Sequence, residues 1–111
     1  MICDFAEIVV VPFPFVDVSI SKRRPALVIS SRPFNEAHGQ SVLAMITTGA
    51  ASSWPSDHPI NGIRATGLTH ASVVRWKLFT LPNSLIARRL GALDRADRTA
   101  IAKAARSYLA A

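Results

Sequence analysis

A small, strongly bent antiparallel β sheet or barrel, finished by one C-terminal helix, is the fold class this sequence predicts. Three observations carry that reading. Short apolar, β-branched runs at 7–11, 26–29, 41–47 and 73–81 are separated by stretches rich in Pro, Gly, Ser and Asp. Only the last stretch has a helical repeat, with Ile101, Ala104, Ala105, Tyr108 and Leu109 spaced i, i+3, i+4, i+7 and i+8. At 111 residues, half of them apolar, a single domain over 1–111 with a real core is the simplest organisation.

The elements follow in order. Residues 7–11 form the first strand. Pro12 and Pro14 have no N–H to give a ladder, so regular pairing is expected to end there. Residues 17–21 then make a loop. Lys22, Arg23 and Arg24 run into Pro25, which bars a helix, so the chain is expected to enter its second strand at Ala26. This sets the three cations at a strand mouth, on a rigid element. Strand 26–29 is apolar on both faces. Ser31 caps a short helix with Pro33 in its first turn, and 34–37 make one turn. The third strand, 41–47, ends in the pair Thr47-Thr48. Residues 49–67 read as mostly irregular, and are long enough to carry function. In strand 73–81 the two-residue period puts Arg75 and Lys77 on one face, about 7 Å apart. A further short strand, 85–90, carries Arg88 and Arg89. Asp94 caps the final helix, with Arg98, Lys103 and Arg106 off its apolar stripe.

Composition narrows the function. Thirteen Lys and Arg against seven Asp and Glu give a net charge of +6, which favours RNA, DNA or an acidic protein segment as partner. The one cysteine, Cys3, cannot form an internal disulfide, and a reducing, cytoplasmic home follows as the expectation. His38, His58 and His70 are scattered and show no metal-ligand spacing, so no metal or cofactor is expected. The longest apolar run, 8–15, is broken by Pro12 and Pro14, and no membrane span is expected. A fixed guanidinium at Arg24 can grip a phosphate with two parallel N–H bonds; a solvated basic loop edge is the plainer alternative. Trp54, Trp76 and Phe79 are candidates for stacking on bases, with Trp54 in the long loop the most exposed of them and Phe79 and Trp76 closer to core positions.

The segments EIVVVPFPF, KRRPALVIS, MITTG, GLTHASVVRWKLFTL and SLIARRLGAL together resemble, in order, the MazF/PemK family of type II toxin–antitoxin ribonuclease toxins. The resemblance implies an SH3-like small β-barrel of the CcdB/PemK kind with a C-terminal α-helix, usually as a homodimer. It implies metal-independent cleavage of single-stranded RNA, restrained by an acidic antitoxin. By position in the family's motifs, Arg24 is the catalytic arginine and stabilises transition-state charge. Thr47 is the threonine at the end of the third strand and orients a phosphate oxygen. Arg75 is the arginine that contacts the scissile or adjacent phosphate. Lys22, Arg23, Trp54, His70, Ser72 and Lys77 then bind substrate, and His70 is able to exchange protons near neutral pH.

The sequence departs from the family pattern in three places. Ala6-Glu7 replaces the usual Gly-Asp. Lys77 stands where several members have an aspartate. No histidine occurs at 18–21. The general base is therefore open. A protein of the same fold that binds nucleic acid or antitoxin without cutting, or a gyrase-directed toxin, are the rival readings.

Overall fold

The apolar residues of each strand alternate between two sides, so the sheet builds a core on both. The computed structural model describes residues 1–13, 22–48 and 52–110. Strands β1 (Glu7–Phe13), β2 (Lys22–Val28), β3 (Gln40–Thr47), β4 (His58–Pro59), β5 (Val73–Pro82) and β6 (Arg88–Ala92) form one antiparallel sheet in the order β4-β5-β3-β2-β1-β6. On one side Ile8, Leu27, Ala44, Ile46 and Val74 are buried beneath Leu93 and Ile101. On the other, Val9, Val11, Ala26, Val28, Leu43 and Leu81 pack with Cys3 and Ile86. The curled sheet is an SH3-like half-barrel.

Helix α1 (Arg32–His38) starts as the sequence predicts: the Ser31 hydroxyl accepts from Phe34 N–H at 3.4 Å, with Pro33 in the first turn. It is longer than one turn and ends at Gly39, whose φ of 63° closes it. The stretch read as irregular holds β4 and α2 (Ile63–Thr66). Helix α2 lies against β6, where a Cβ on Gly91 would stand 2.3 Å from Ala65 O. This glycine lets the β4–α2 segment cover the far edge of the sheet. Helix α3 (Arg95–Tyr108) is capped by Asp94, which accepts from Asp97 N–H at 2.9 Å. Its apolar stripe is buried at Ile101, but Tyr108 and Leu109 are 53 % and 49 % exposed, because the stripe outruns the sheet. No helix of the described residues is long and apolar enough to cross a membrane.

Two expectations need correction. Pro12 does not end the first strand, since β1 continues to Phe13. The second strand begins at Lys22 and not at Ala26, so the three cations lie within the ladder instead of before it. The prolines permit this because each has only one paired neighbour. Pro12 is opposite Arg23 beyond the last β1–β6 pair, and Pro25 is opposite Val10 before the first β2–β3 pair. In β5 the ladder is interrupted while the alternation of faces is kept, since Val74, Trp76 and Leu78 pack on one core and Phe79 and Leu81 on the other. Ala44 pairs Leu78 and Met45 pairs Arg75, leaving Trp76 and Lys77 as two extra residues with no partner on β3. Arg75 and Lys77 thus keep to one face as expected, but Arg75 is 7 % exposed and Lys77 is exposed. The expectations for Pro14 and for the loop at 17–21, and the start of the irregular stretch at 49–51, lie outside the described residues.

Candidate functional site

Strands β2 and β3 part company at one end. Their ladder stops at Ala26–Met45, yet β2 stays paired to β1 as far as Lys22, and β3 stays paired to β5 as far as Thr47. A wedge opens between the diverging strands. Continuing the register by two residues sets Arg24 opposite Thr47 across it. The wedge forms a groove of about 170 Å³ lined by Arg24, Pro25, Met45, Thr47, Thr48 and Ser72. Lys22, Arg23 and Arg24 are all exposed. Among the described residues, no side chain pairs with any of the three. The structure thus brings Arg24, Thr47 and Ser72 to one groove, together with Thr48.

A second groove of about 350 Å³ adjoins the first and shares Pro25, Thr48 and Ser72 with it. Thr69, His70 and Arg88 line it. The His70 ring Nδ1 lies 2.9 Å from Thr69 Oγ1, and the Ser72 hydroxyl donates to the His70 carbonyl at 2.9 Å. Among the described residues that line the two grooves there is no carboxylate, and His70 is the one histidine. The departure at Lys77 leaves no acid in its place.

Arg75 is elsewhere engaged. Its Nε and one terminal nitrogen donate to the two Asp57 oxygens at 3.1 and 2.9 Å. The guanidinium also donates to the Ser52 hydroxyl at 3.2 Å and to the Ser52 carbonyl at 3.0 Å. Trp54, 41 % exposed, lies over the guanidinium with 5.6 Å to its ring centroid. The bidentate bond to Arg75 holds the Asp57 carboxyl below its ordinary pKa, and the same bond raises that of Arg75. In this structure Arg75 fastens the 52–57 loop and presents Trp54, instead of waiting free for a phosphate. Asp57, the residue that decides this, was not singled out from sequence: nothing local marks a carboxylate that finds its partner 18 residues on. Thr69 and Arg88 were likewise passed over, since only the fold sets them beside Thr48.

Trp76 is half-buried against the core and meets Tyr108 edge-on at 5.3 Å, and Phe79 packs on the second core. Phe79 also lines a small cavity with Arg24, Pro25 and Met45 beside the wedge, whereas Trp76 and Trp54 line neither groove. A further concavity, about 530 Å³, is a trough along α3 beside Arg98, Lys103 and Arg106. It is bounded by one side of a single helix and contains no group able to exchange a proton at neutral pH. Among the described residues no three His, Cys, Asp or Glu side chains stand close enough to hold a metal ion.

Comparison with known proteins decides the family. The sequence profile of the PemK-like, MazF-like toxins of type II toxin–antitoxin systems matches residues 4–109. The chain belongs to this family. No curated protein sequence matches the chain. Among solved structures, MazF of Deinococcus radiodurans in its crystal form I is similar at a TM-score of 0.72 and 21 % identity, covering 100 % of this chain and 99 % of that one. MazE–MazF of the same organism, form III, gives 0.77 and 20 %, covering 99 % and 98 %. A mycobacterial endoribonuclease in complex with its cognate antitoxin gives 0.74 and 17 %, covering 98 % and 94 %. The family fold therefore extends over the whole chain, with the wedge between β2 and β3 inside it.

Proposed function

We propose that this member of the toxin family is an endoribonuclease that cleaves single-stranded RNA at the β2–β3 wedge, through the substrate's own 2′-hydroxyl. The observation that carries the reading is Arg24: exposed, without a partner among the described residues, and anchored in a strand directly across from Thr47. In such a reaction the 2′-oxygen attacks phosphorus and gives up its proton, a phosphorane forms, and the 5′-oxygen leaves and takes a proton. The products are a 2′,3′-cyclic phosphate and a 5′-hydroxyl. DNA has no 2′-hydroxyl and can bind without reacting. Arg24 stabilises the phosphorane charge, and Thr47 orients a non-bridging oxygen. His70, at the rim, is the side chain among the described lining residues suited to exchange a proton. Lys22 and Arg23 hold flanking phosphates, with Ser72 and Lys77 as further polar contacts. Trp54 stacks on a base, and Arg75 acts through Trp54 as a positioning residue.

The endoribonuclease neighbour bound to its antitoxin and the MazE–MazF pair support a parallel arrangement here: an acidic antitoxin segment lying over the basic wedge of a homodimer. Such a segment inhibits by occupying the phosphate positions. A non-cleaving binder of the same fold is favoured by one observation, that the described residues lining either groove include no carboxylate.

The test is a gel of purified protein with long single-stranded RNA in excess EDTA. Cutting is expected, and Arg24→Ala should slow it by roughly 10²–10³ while RNA binding falls far less. Undiminished cutting by Arg24→Ala would remove Arg24 from the mechanism; no cutting by the wild-type protein would leave the binder.

A further inference from the structure

The second groove has the makings of a site that the cleavage reaction alone does not need. We propose that the groove between the 67–72 loop and β6 is a nucleotide subsite for the phosphodiester next to the scissile one, with Arg88 as its phosphate ligand. This rests on the reading of the β2–β3 wedge as the cleavage site.

Arg88 is anchored by pairing with Val10 in the β1–β6 ladder. Its neighbour Arg89 is held by the Glu7 carboxylate, whereas the exposed Arg88 has no carboxylate or carbonyl partner among the described residues. Two consecutive arginines on one strand thus have different circumstances, one tied down and one presented. Around Arg88 the groove offers the hydroxyls of Thr48, Thr69 and Ser72 and the ring of His70. The Thr48 hydroxyl and the His70 ring suit phosphate and ribose oxygens, and the Ser72 and Thr69 oxygens can accept from a ribose hydroxyl. At about 350 Å³ its size lies within the range of small-ligand clefts, ~300–1,000 Å³.

The wall is built rigidly. Gly67, at φ 76°, brings the loop so near β6 that a Cβ there would stand 2.5 Å from Leu90 O. Ser72 and Thr69 brace His70 through the hydrogen bonds already described. The register also explains why both grooves are needed. Arg24 pairs with Val11 and Arg88 with Val10, adjacent residues of β1 that face opposite sides of the sheet. An RNA strand lying over the wedge meets Arg24 on one side and, turning the end of the sheet past the shared Pro25, Thr48 and Ser72, meets Arg88 on the other. By contrast, the cations along α3 line an open trough with no opposing wall.

The experiment has a binding arm and a cutting arm. Binding of a mixed-sequence single-stranded DNA, which cannot react, is followed by fluorescence anisotropy against salt. Arg88→Ala should shrink the log–log salt slope by about 0.7, the share of one phosphate on a single strand. It should also weaken low-salt affinity about tenfold, the worth of one charged hydrogen-bonded contact. Arg88→Lys should recover most of the slope. In the cutting arm, Arg88→Ala should raise KM for long RNA and leave kcat nearly unchanged. Lys103→Ala, a charge-matched change on α3, should alter neither. An unchanged slope for Arg88→Ala, or an equal loss for Lys103→Ala, would overturn the subsite. Wild-type protein that shows the Arg88-dependent slope yet cuts no RNA would instead overturn the cleavage reading.

Discussion

Arg24 and Arg75 have the same chemistry and opposite surroundings. Arg24 lies in an open wedge, and Arg75 is buried beneath a loop whose Asp57 accepts from Nε and one terminal nitrogen of its guanidinium. A bidentate carboxylate occupies the geometry a phosphate would use. Asp57 and Asp97 both have depressed pKa values. Asp57 owes its shift first to Arg75. At Asp97 burial opposes the charge, and the N–H groups of Gly62 and Asn61 with His58 outweigh it. A depressed carboxyl contributes stability that is complete above its unfolded value, about 3.9, and is lost as pH falls through the folded one. Thermal unfolding between pH 6 and pH 3 should therefore show a smaller fall in Tm for Asp57→Asn than for wild type; superimposable curves would count against the clamp. Ala6 gives a second prediction at this scale. It is buried with φ at 72°, in the region glycine prefers, and stands where the family usually has glycine. Left-handed backbone costs an alanine roughly 1–2 kcal/mol, and glycine's extra unfolded entropy returns about 0.5–1. Ala6→Gly should thus stabilise by about 0.5–1 kcal/mol in urea unfolding, and a loss of stability would contradict the strain.

At the scale of elements, the wedge exists because two ladders outlast a third. Strands β2 and β3 are each held on their outer sides by β1 and β5, so they can separate without fraying. The groove wall depends on how closely α2 and the loop after it approach β6. Gly91→Ala would drive a methyl into the Ala65 carbonyl. Relief requires backbone movement, and a loss of roughly 1–3 kcal/mol is expected, as for other overpacked sites. The loss should come with weaker RNA binding; a fully stable variant would mean that the approach is loose. Helix α3 is docked through its first turn, where Asp97 accepts from Asn61 N–H at 3.0 Å, Gly62 N–H at 2.8 Å and His58 Nε2 at 3.0 Å. Asp97→Ala leaves those donors unmatched at a nearly buried position, at a cost of roughly 1–3 kcal/mol each before relaxation or water entry. A Tm within a degree of wild type would show the dock to be dispensable.

For the whole molecule, the charge of +6 acts as a field and four arginines and lysines act as contacts. If Lys22, Arg23, Arg24 and Arg88 each neutralise one phosphate, single-strand binding should have a log–log salt slope of about −3. A slope near zero would place the nucleic-acid site elsewhere. A homodimer is the expected assembly, and light scattering at micromolar concentration should report twice the chain mass; a monomer would argue against it. An acidic antitoxin peptide should compete with single-stranded DNA for the wedge and lose affinity as salt rises.

Much of this was legible in the chain because local rules govern it. Alternating β-branched runs specify strands, Ser31 and Asp94 specify helix starts, and Ile101 marks the face that α3 buries. The motif around Arg24-Pro25 and Thr47 pointed to the site. Three things needed the tertiary structure, each because it depends on partners distant in sequence. The prolines at 12 and 25 remain inside strands, since only the sheet order shows which side of each strand is unpaired. Trp76 and Lys77 are extra residues in β5 without partners on β3, and only the register with β3 defines them. Arg75 becomes a clamp and Arg88 an open ligand, since Asp57 and Glu7 choose between arginines by proximity, and proximity is created by folding. The sequence by itself determined the family, the main strands, the starts of α1 and α3 and the charge; the packing of β6, α2 and the 52–57 loop decided which of those charges are free to meet a phosphate.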